Sequence, residues 1–150
     1  MEKVTIRKGT ENDCEALHKL IVELAIFEKE PDAVDVTVDQ LREHGFGQNP
    51  YYEFLVAEVD NEIAGIALYY YKYSTWKGPS LYLEDLIVSA KHRRKGIGEK
   101  LVSALKEKAK KEKMGRFEWQ VLDWNESAIN FYKKLGADFD GEWLNVQLKL

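Results

Sequence analysis

The sequence predicts an α+β domain built on a mixed sheet, and three stretches carry that prediction. Glu53 to Val59 and Glu62 to Tyr73 are apolar, strand-like runs separated only by Asp60-Asn61, the pattern of an antiparallel hairpin. Leu81 to Val88 and Arg116 to Leu122 are two further strands separated by an amphipathic helix that starts at Gly96, which makes a βαβ unit with parallel strands. Cys14, Leu17, Leu20, Ile21, Leu24 and Phe27 recur at helical spacing and give one helix a buried face.

The remaining elements follow in order. Val4 to Arg7 alternates as a strand, and Thr10 with Asp13 forms a helix N-cap region ahead of the Cys14 stripe. Glu28-Lys29-Glu30-Pro31 ends that helix. Thr37 caps a second short helix through Leu41, closed by the loop His44 to Pro50. The aromatic tract Tyr69 to Tyr73, with Trp76 beyond, packs mostly against the sheet and leaves one or two tyrosines for a ligand cleft. Ser127 to Leu135 reads as a helix stopped by Gly136, and Trp143 to Leu148 as a final strand. With no repeat, low-complexity segment or linker, residues 1–150 are expected to form a single domain.

Composition narrows the class. The chain is 45% apolar and 32% charged, without an apolar run near the roughly 20 residues of a membrane span. The start Met1-Glu2-Lys3-Val4 lacks a signal-peptide pattern, so the cytoplasm is the expected location. The single cysteine, Cys14, lies on an apolar stripe, excludes an internal disulfide and reads as core. His18, His44 and His92 lack ligand-like clustering, and no metal is expected; His92 adds polarity to the basic turn beside it.

The net charge of −4 is unevenly spread: residues 1–60 hold 6 Lys/Arg against 14 Asp/Glu, and residues 91–116 hold 11 against 3. Such a distribution draws an anionic ligand to the basic segment and a cationic one to the acidic surface. The lysines between 106 and 113 also read as a solvated helix face. A nucleic-acid role is disfavoured, because the chain is acidic and no basic stripe is interleaved with aromatics.

The densest signal is Leu81 to Leu101, where a strand bearing two acids, Glu84 and Asp85, runs through a basic turn into Gly96-Ile97-Gly98 and a helix. Glycines allow a tight turn, and the unpaired N–H groups of the first helical turn favour phosphate. A dinucleotide fingerprint fails because its third glycine would be Leu101, and a P-loop fails because no Gly-Lys-Ser/Thr follows Gly98. The segment Arg93-Arg94-Lys95-Gly96-Ile97-Gly98 instead resembles the Arg/Gln-x-x-Gly-x-Gly/Ala signature of the GNAT acyl-CoA N-acyltransferases. The element order matches that family along essentially the whole chain.

Further stretches narrow the resemblance. Asp13-Cys14, Glu43 to Gly47 with Asn49 to Tyr52, Leu81 to Asp85, and Trp124 to Tyr132 are similar to the spermidine/spermine and thialysine N-acetyltransferases within that family. The resemblance implies a GNAT fold with helices on both sheet faces and a splayed parallel strand pair that binds acetyl-CoA. It implies Glu84 as a base acting through an ordered water and Tyr132 as the acid for the departing CoA sulfur. Leu86, Ile87 and Val88 would supply oxyanion-stabilising backbone, Arg93 to Gly98 a pyrophosphate cradle, and Asn125 a contact to the pantetheine arm.

Elementary chemistry agrees with those residue types, because an alkylammonium with a pKa of about 10.4 must lose a proton before it attacks a thioester. Each residue also has a plainer reading: Glu84 as a surface acid, Tyr132 as core filling. Neighbouring residues of a regular strand face opposite ways, so Glu84 and Asp85 can share one cleft only if a bulge lies near Glu84 to Leu86. Glu28, Asp85 and Trp76 match the family's amine-binding residues. Ser74 and Thr75 stand where the polyamine enzymes keep an acid and a proline before the tryptophan, which removes one anionic anchor and leaves polyamine, diamine and thialysine-like amines open. A homodimer whose C-terminal strands meet is likewise implied by the resemblance. The competing classes are a protein-lysine or N-terminal acetyltransferase and a non-catalytic acyl-CoA-binding module.

Overall fold

The computed structural model describes residues 3–150; Met1 and Glu2, the start of the sequence read above for a targeting signal, lie outside the described residues. The chain resolves into two compact units, Met1–Trp119 and Gln120–Leu150.

The first unit is a five-stranded sheet in the order β1-β2-β3-β4-β5. Its strands are β1 (Val4–Lys8), β2 (Glu53–Val59), β3 (Glu62–Ser74), β4 (Gly78–Val88) and β5 (Arg116–Trp119). The first four pair antiparallel, whereas β4 and β5 are parallel. The helices of this unit are α1 (Cys14–Phe27), α2 (Val38–Phe46) and α3 (Ile97–Lys111). Asp60 and Asn61 both take positive φ, 52° and 62°, which is what a two-residue hairpin turn demands and what these residue types tolerate.

Helices cover both faces, and the alternation of β3 shows how. Ile66 and Leu68, with Phe54, Val56 and Ile87, pack against Cys14, Leu17 and Leu20 of α1 and Leu41 of α2. Burying each such side chain contributes about 1.5–3 kcal/mol. Gly65 and Tyr69 face the other way, toward α3. A Cβ at Gly65 would lie 3.2 Å from the Ile97 side chain and 2.8 Å from the Ile87 carbonyl, so only glycine lets α3 approach this closely.

Local chemistry fixes the helix starts. Thr37 and Gln40 form a reciprocal capping box, the Gln40 N–H donating to Thr37 Oγ1 at 3.1 Å and the Thr37 N–H to Gln40 Oε1 at 2.9 Å. The helix runs beyond Leu41 to Phe46, longer than its sequence suggested, because the Leu41 side chain is buried and Gly45 continues the turn rather than opening a loop. Ahead of α1, Asp13 accepts two bonds from Arg7 at 2.7 and 2.9 Å and is buried. Arg7 also contacts Glu58.

The second unit contains α4 (Glu126–Lys134), capped by Asn125, whose side chain accepts the Ala128 N–H at 3.2 Å. The expected strand Trp143 to Leu148 does not form: residues 137–150 contain neither helix nor strand, and Leu144, Val146 and Leu148 are 86–91% exposed. Apolar alternation prepares a strand, but a ladder partner must complete it, and none pairs with this segment among the described residues. For the same reason β5 stops at Trp119 rather than Leu122, where its ladder to β4 ends.

Candidate active site

The site centres on one irregularity in β4. Leu83 pairs with Tyr69, but the next rung joins Asp85 to Leu68, so Glu84 is an extra residue in the strand. The predicted bulge is therefore present. Tyr82 opposes Tyr70, Asp85 opposes Leu68 and Ile87 opposes Ile66, which places Tyr82, Asp85 and Ile87 on the α1 face. Without the extra residue Asp85 would point toward α3.

Glu84 serves the same face. Its Oε1 accepts the Tyr70 hydroxyl at 2.9 Å, and the Tyr70 and Tyr82 rings pack 5.3 Å apart. Burial and the neighbouring carboxylates raise the Tyr70 hydroxyl well above the usual tyrosine range, so it stays protonated as a donor. Asp85 is half-buried, and burial, then the like charges of Glu84 and Glu28, push its carboxyl up to about 6. Glu28, at the C-terminal cap of α1, is itself raised by burial. Glu28, Glu84 and Asp85 thus form an acidic cluster suited to a cation.

Trp76 is not brought to that cluster. It lies in the turn of the β3–β4 hairpin, where Ser74 Oγ accepts the N–H groups of Trp76 and Lys77, and it is 80% exposed. Five ladder rungs separate Leu83↔Tyr69 from Gly78↔Ser74, about 17 Å of strand.

The other half of the site is an anion-binding shape. The β4–β5 ladder ends at Leu83↔Trp119, while β4 continues on β3 through Val88. Alternate N–H groups of Leu86, Ile87 and Val88 consequently face the open side of the strand. Arg94 and Gly96 take positive φ, 64° and 73°, and turn the chain into α3. The first α-helical bond runs from the Lys100 N–H to the Gly96 carbonyl at 3.1 Å, so the N–H groups of Ile97, Gly98 and Glu99 precede the ladder. Arg93, Arg94 and Lys95 are exposed beside them. These groups fit a pyrophosphate. Arg93 is engaged locally, its Nε donating to the Val88 carbonyl at 3.3 Å.

His92 lies in this turn and is buried. It is 4% exposed, Glu62 Oε2 lies 3.7 Å from Nε2, and among the described residues neither ring nitrogen has a hydrogen-bond partner. Cys14 is fully buried, and burial raises its thiol. Among the described residues no group of His, Cys, Asp and Glu has the arrangement of a metal site.

In the second unit, Asn125 holds the start of α4, and Tyr132 on that helix is 8% exposed with its ring 5.4 Å from Phe131. Sequence reasoning left Tyr70 unassigned. Its only signal was membership of an aromatic tract, because the bond to Glu84 depends on the register of two strands.

Comparison with known proteins gives a consistent result. The Acetyltransferase (GNAT) family profile matches residues 15–137. Thialysine N-epsilon-acetyltransferase of Sus scrofa is 41% identical over 145 residues, covering 91% of this chain and 85% of that protein. Spermidine/spermine N(1)-acetyltransferase-like protein 1 of Homo sapiens is 35% identical over 144 residues, 91% of this chain and 21% of that protein. An aminoglycoside N-acetyltransferase solved in complex with CoA shares the fold, with a TM-score of 0.80 at 15% identity over 100% of this chain and 97% of that one. The chain belongs to the acetyltransferase (GNAT) family.

Proposed function

We propose that this acetyltransferase moves an acetyl group from acetyl-CoA to a primary amine of a small cationic substrate, by direct attack in a ternary complex. The observation that carries the reading is the β4 bulge, which puts Glu84 and Asp85 on one face, near Glu28 and beside the open edge of the strand. The amine is a thialysine-like amino acid or a short diamine. In favour of these are the thialysine N-epsilon-acetyltransferases among its relatives and the absence of an acid at Ser74 and Thr75.

The ammonium group binds among the three carboxylates and gives a proton to Glu84 through water. Its freed nitrogen attacks the thioester carbonyl carbon while β4 backbone N–H groups at Leu86 to Val88 hold the oxyanion. The oxyanion then collapses and the C–S bond breaks; Tyr132 supplies a proton to the CoA thiolate, and the second proton of the amine nitrogen leaves through solvent, which restores the Tyr132 hydroxyl. Arg93 to Gly98 cradles the pyrophosphate, and Asn125 meets the pantetheine arm in addition to capping α4. Trp76 reaches an amine site only if the hairpin tip contributes from a partner copy.

We propose that residues 1–150 function as one domain; the family match from 15 to 137, which crosses the boundary between the two units, is in favour of this reading. We further propose a cytoplasmic homodimer. The exposed alternating side chains Leu144, Val146 and Leu148 favour an intermolecular contact, and no described helix is long and apolar enough to cross a membrane.

The test is CoA release from acetyl-CoA against spermidine, spermine, putrescine, thialysine, lysine and a lysine peptide, repeated with Tyr132→Phe and Glu84→Gln. Strong turnover of one small amine, slowed at least about tenfold in both variants, is the expected result. Preference for the peptide, or acetyl-CoA binding with no turnover of any amine, would overturn the proposal.

A further inference from the structure

Helix α1 touches the anion-binding turn at two points spaced four residues apart, and therefore on one face of the helix. Glu23 Oε1 accepts the Ala90 backbone N–H at 3.2 Å, and the Phe27 ring centre lies 5.4 Å from the Arg93 guanidinium carbon. The bond from Arg93 Nε to the Val88 carbonyl holds the same side chain from the other direction. Arg93 is thus a strut between the end of β4 and the end of α1. Glu28, whose charge is felt at Asp85, follows Phe27 directly. One rigid helix carries both an acid of the amine side and the support of the acyl-donor turn.

That support has a physical purpose. Arg94 holds φ at 64°, a left-handed conformation that a residue with a side chain keeps only when its surroundings enforce it. Two α1 contacts at Ala90 and Arg93 supply part of the enforcement immediately upstream. The pyrophosphate amides of Ile97 and Gly98 inherit their direction from this turn, and small displacements of such groups weaken binding strongly.

On the function proposed above, we infer that Glu23 and Phe27 are positioning residues that register the Ala90–Gly96 turn against the acidic cluster, so that amine binding and acyl-CoA binding are coupled through α1. Neither side chain touches the reacting atoms. Their effect is confined to donors that carry the phosphate-bearing arm.

The experiment compares wild type with Phe27→Ala, Glu23→Ala and Glu23→Gln, the last keeping an oxygen acceptor for the Ala90 N–H. Each is assayed with acetyl-CoA and with S-acetyl-N-acetylcysteamine, a short acetyl thioester without phosphates, and titrated calorimetrically with CoA in the presence and absence of amine. Phe27→Ala and Glu23→Ala are expected to raise the KM for acetyl-CoA and the Kd for CoA about three- to tenfold, the range of one cation–π contact or one hydrogen bond. Glu23→Gln should stay near wild type, and turnover of the short thioester should change by less than about twofold. Amine should tighten CoA binding in wild type, with this linkage reduced in the two alanine variants.

Equal losses with both thioesters would assign these residues a general structural role and overturn the inference. Unchanged CoA affinity in both alanine variants, or no amine linkage in wild type, would also overturn it. Failure of the proposed function has a different signature: the wild type turns over no amine, whereas the CoA titrations still report the strut.

Discussion

Asp85→Asn should stabilise the folded protein at neutral pH, although it alters a side chain in the centre of the site. Asp85 is held up to about 6 in the folded chain against an ordinary value of 3.8, with burial the main cause and Glu84 and Glu28 contributing. A carboxyl raised on folding binds its proton more tightly in the native state, so stability falls as pH rises from about 4 to 6 and stays reduced above that window. The shift corresponds to about 3 kcal/mol at pH 7, an upper bound because solvent reaches part of the group. Asparagine keeps the shape and never ionises. Urea unfolding of both proteins at intervals between pH 4 and 8 reads the effect. The variant's advantage should be near zero at pH 4, grow to about 2–3 kcal/mol by pH 7, and shrink when Glu84→Gln removes the nearest like charge. A difference independent of pH, or a variant less stable at pH 7, would refute the assignment of Asp85 as a carboxylate whose ionisation the fold opposes.

Other outcomes follow from the same structure. Tyr70→Phe removes the hydroxyl bonded to Glu84 at 2.9 Å and should lower kcat about tenfold with a smaller change in the amine KM, measured by steady-state kinetics across pH. Gly96→Ala places a Cβ on a residue at φ 73°; the space is open, so the cost is conformational, about 1–2 kcal/mol, visible as a raised acetyl-CoA KM and a lower Tm. Asp13 is lowered to about 2, chiefly by its hydrogen bonds from Arg7, so its contribution is fully present above about pH 4 and lost as pH falls toward 2. Asp13→Asn should therefore cost about 2 kcal/mol in urea unfolding at pH 7 and progressively less in acid.

The acidic cluster shows where sequence reasoning was sufficient. Adjacent residues of a regular strand face opposite ways, so the shared cleft that the family resemblance implied for Glu84 and Asp85 required a bulge, which the ladder places at Glu84. The hairpin boundaries were equally legible, since Asp60-Asn61 is a turn signal between two apolar runs. Tyr70 was not legible, because its role depends on cross-strand register rather than on its neighbours in the chain. The glycine-rich turn was visible as a phosphate site, but its bracing by Glu23 and Phe27 joins positions about 67 residues apart. The burial of His92 was likewise not legible, because its place in a basic turn says nothing about what packs over it.

By itself the sequence determined the elements, their order, the parallel βαβ unit and the residue types needed for acetyl transfer. The elements and their order are set by period, caps, turns and local composition, all of which act over a few residues, whereas the residues for acetyl transfer were named through the resemblance of their motifs to a known family. Only the tertiary structure decided which face each acid serves, how far Asp85 is pushed toward neutrality, and whether the alternating residues at 143–148 become a strand. Those outcomes depend on partners distant in the chain: a rung of register turns a side chain from one face to the other, burial changes a carboxyl's proton affinity, and a strand exists only when another backbone completes its hydrogen bonds.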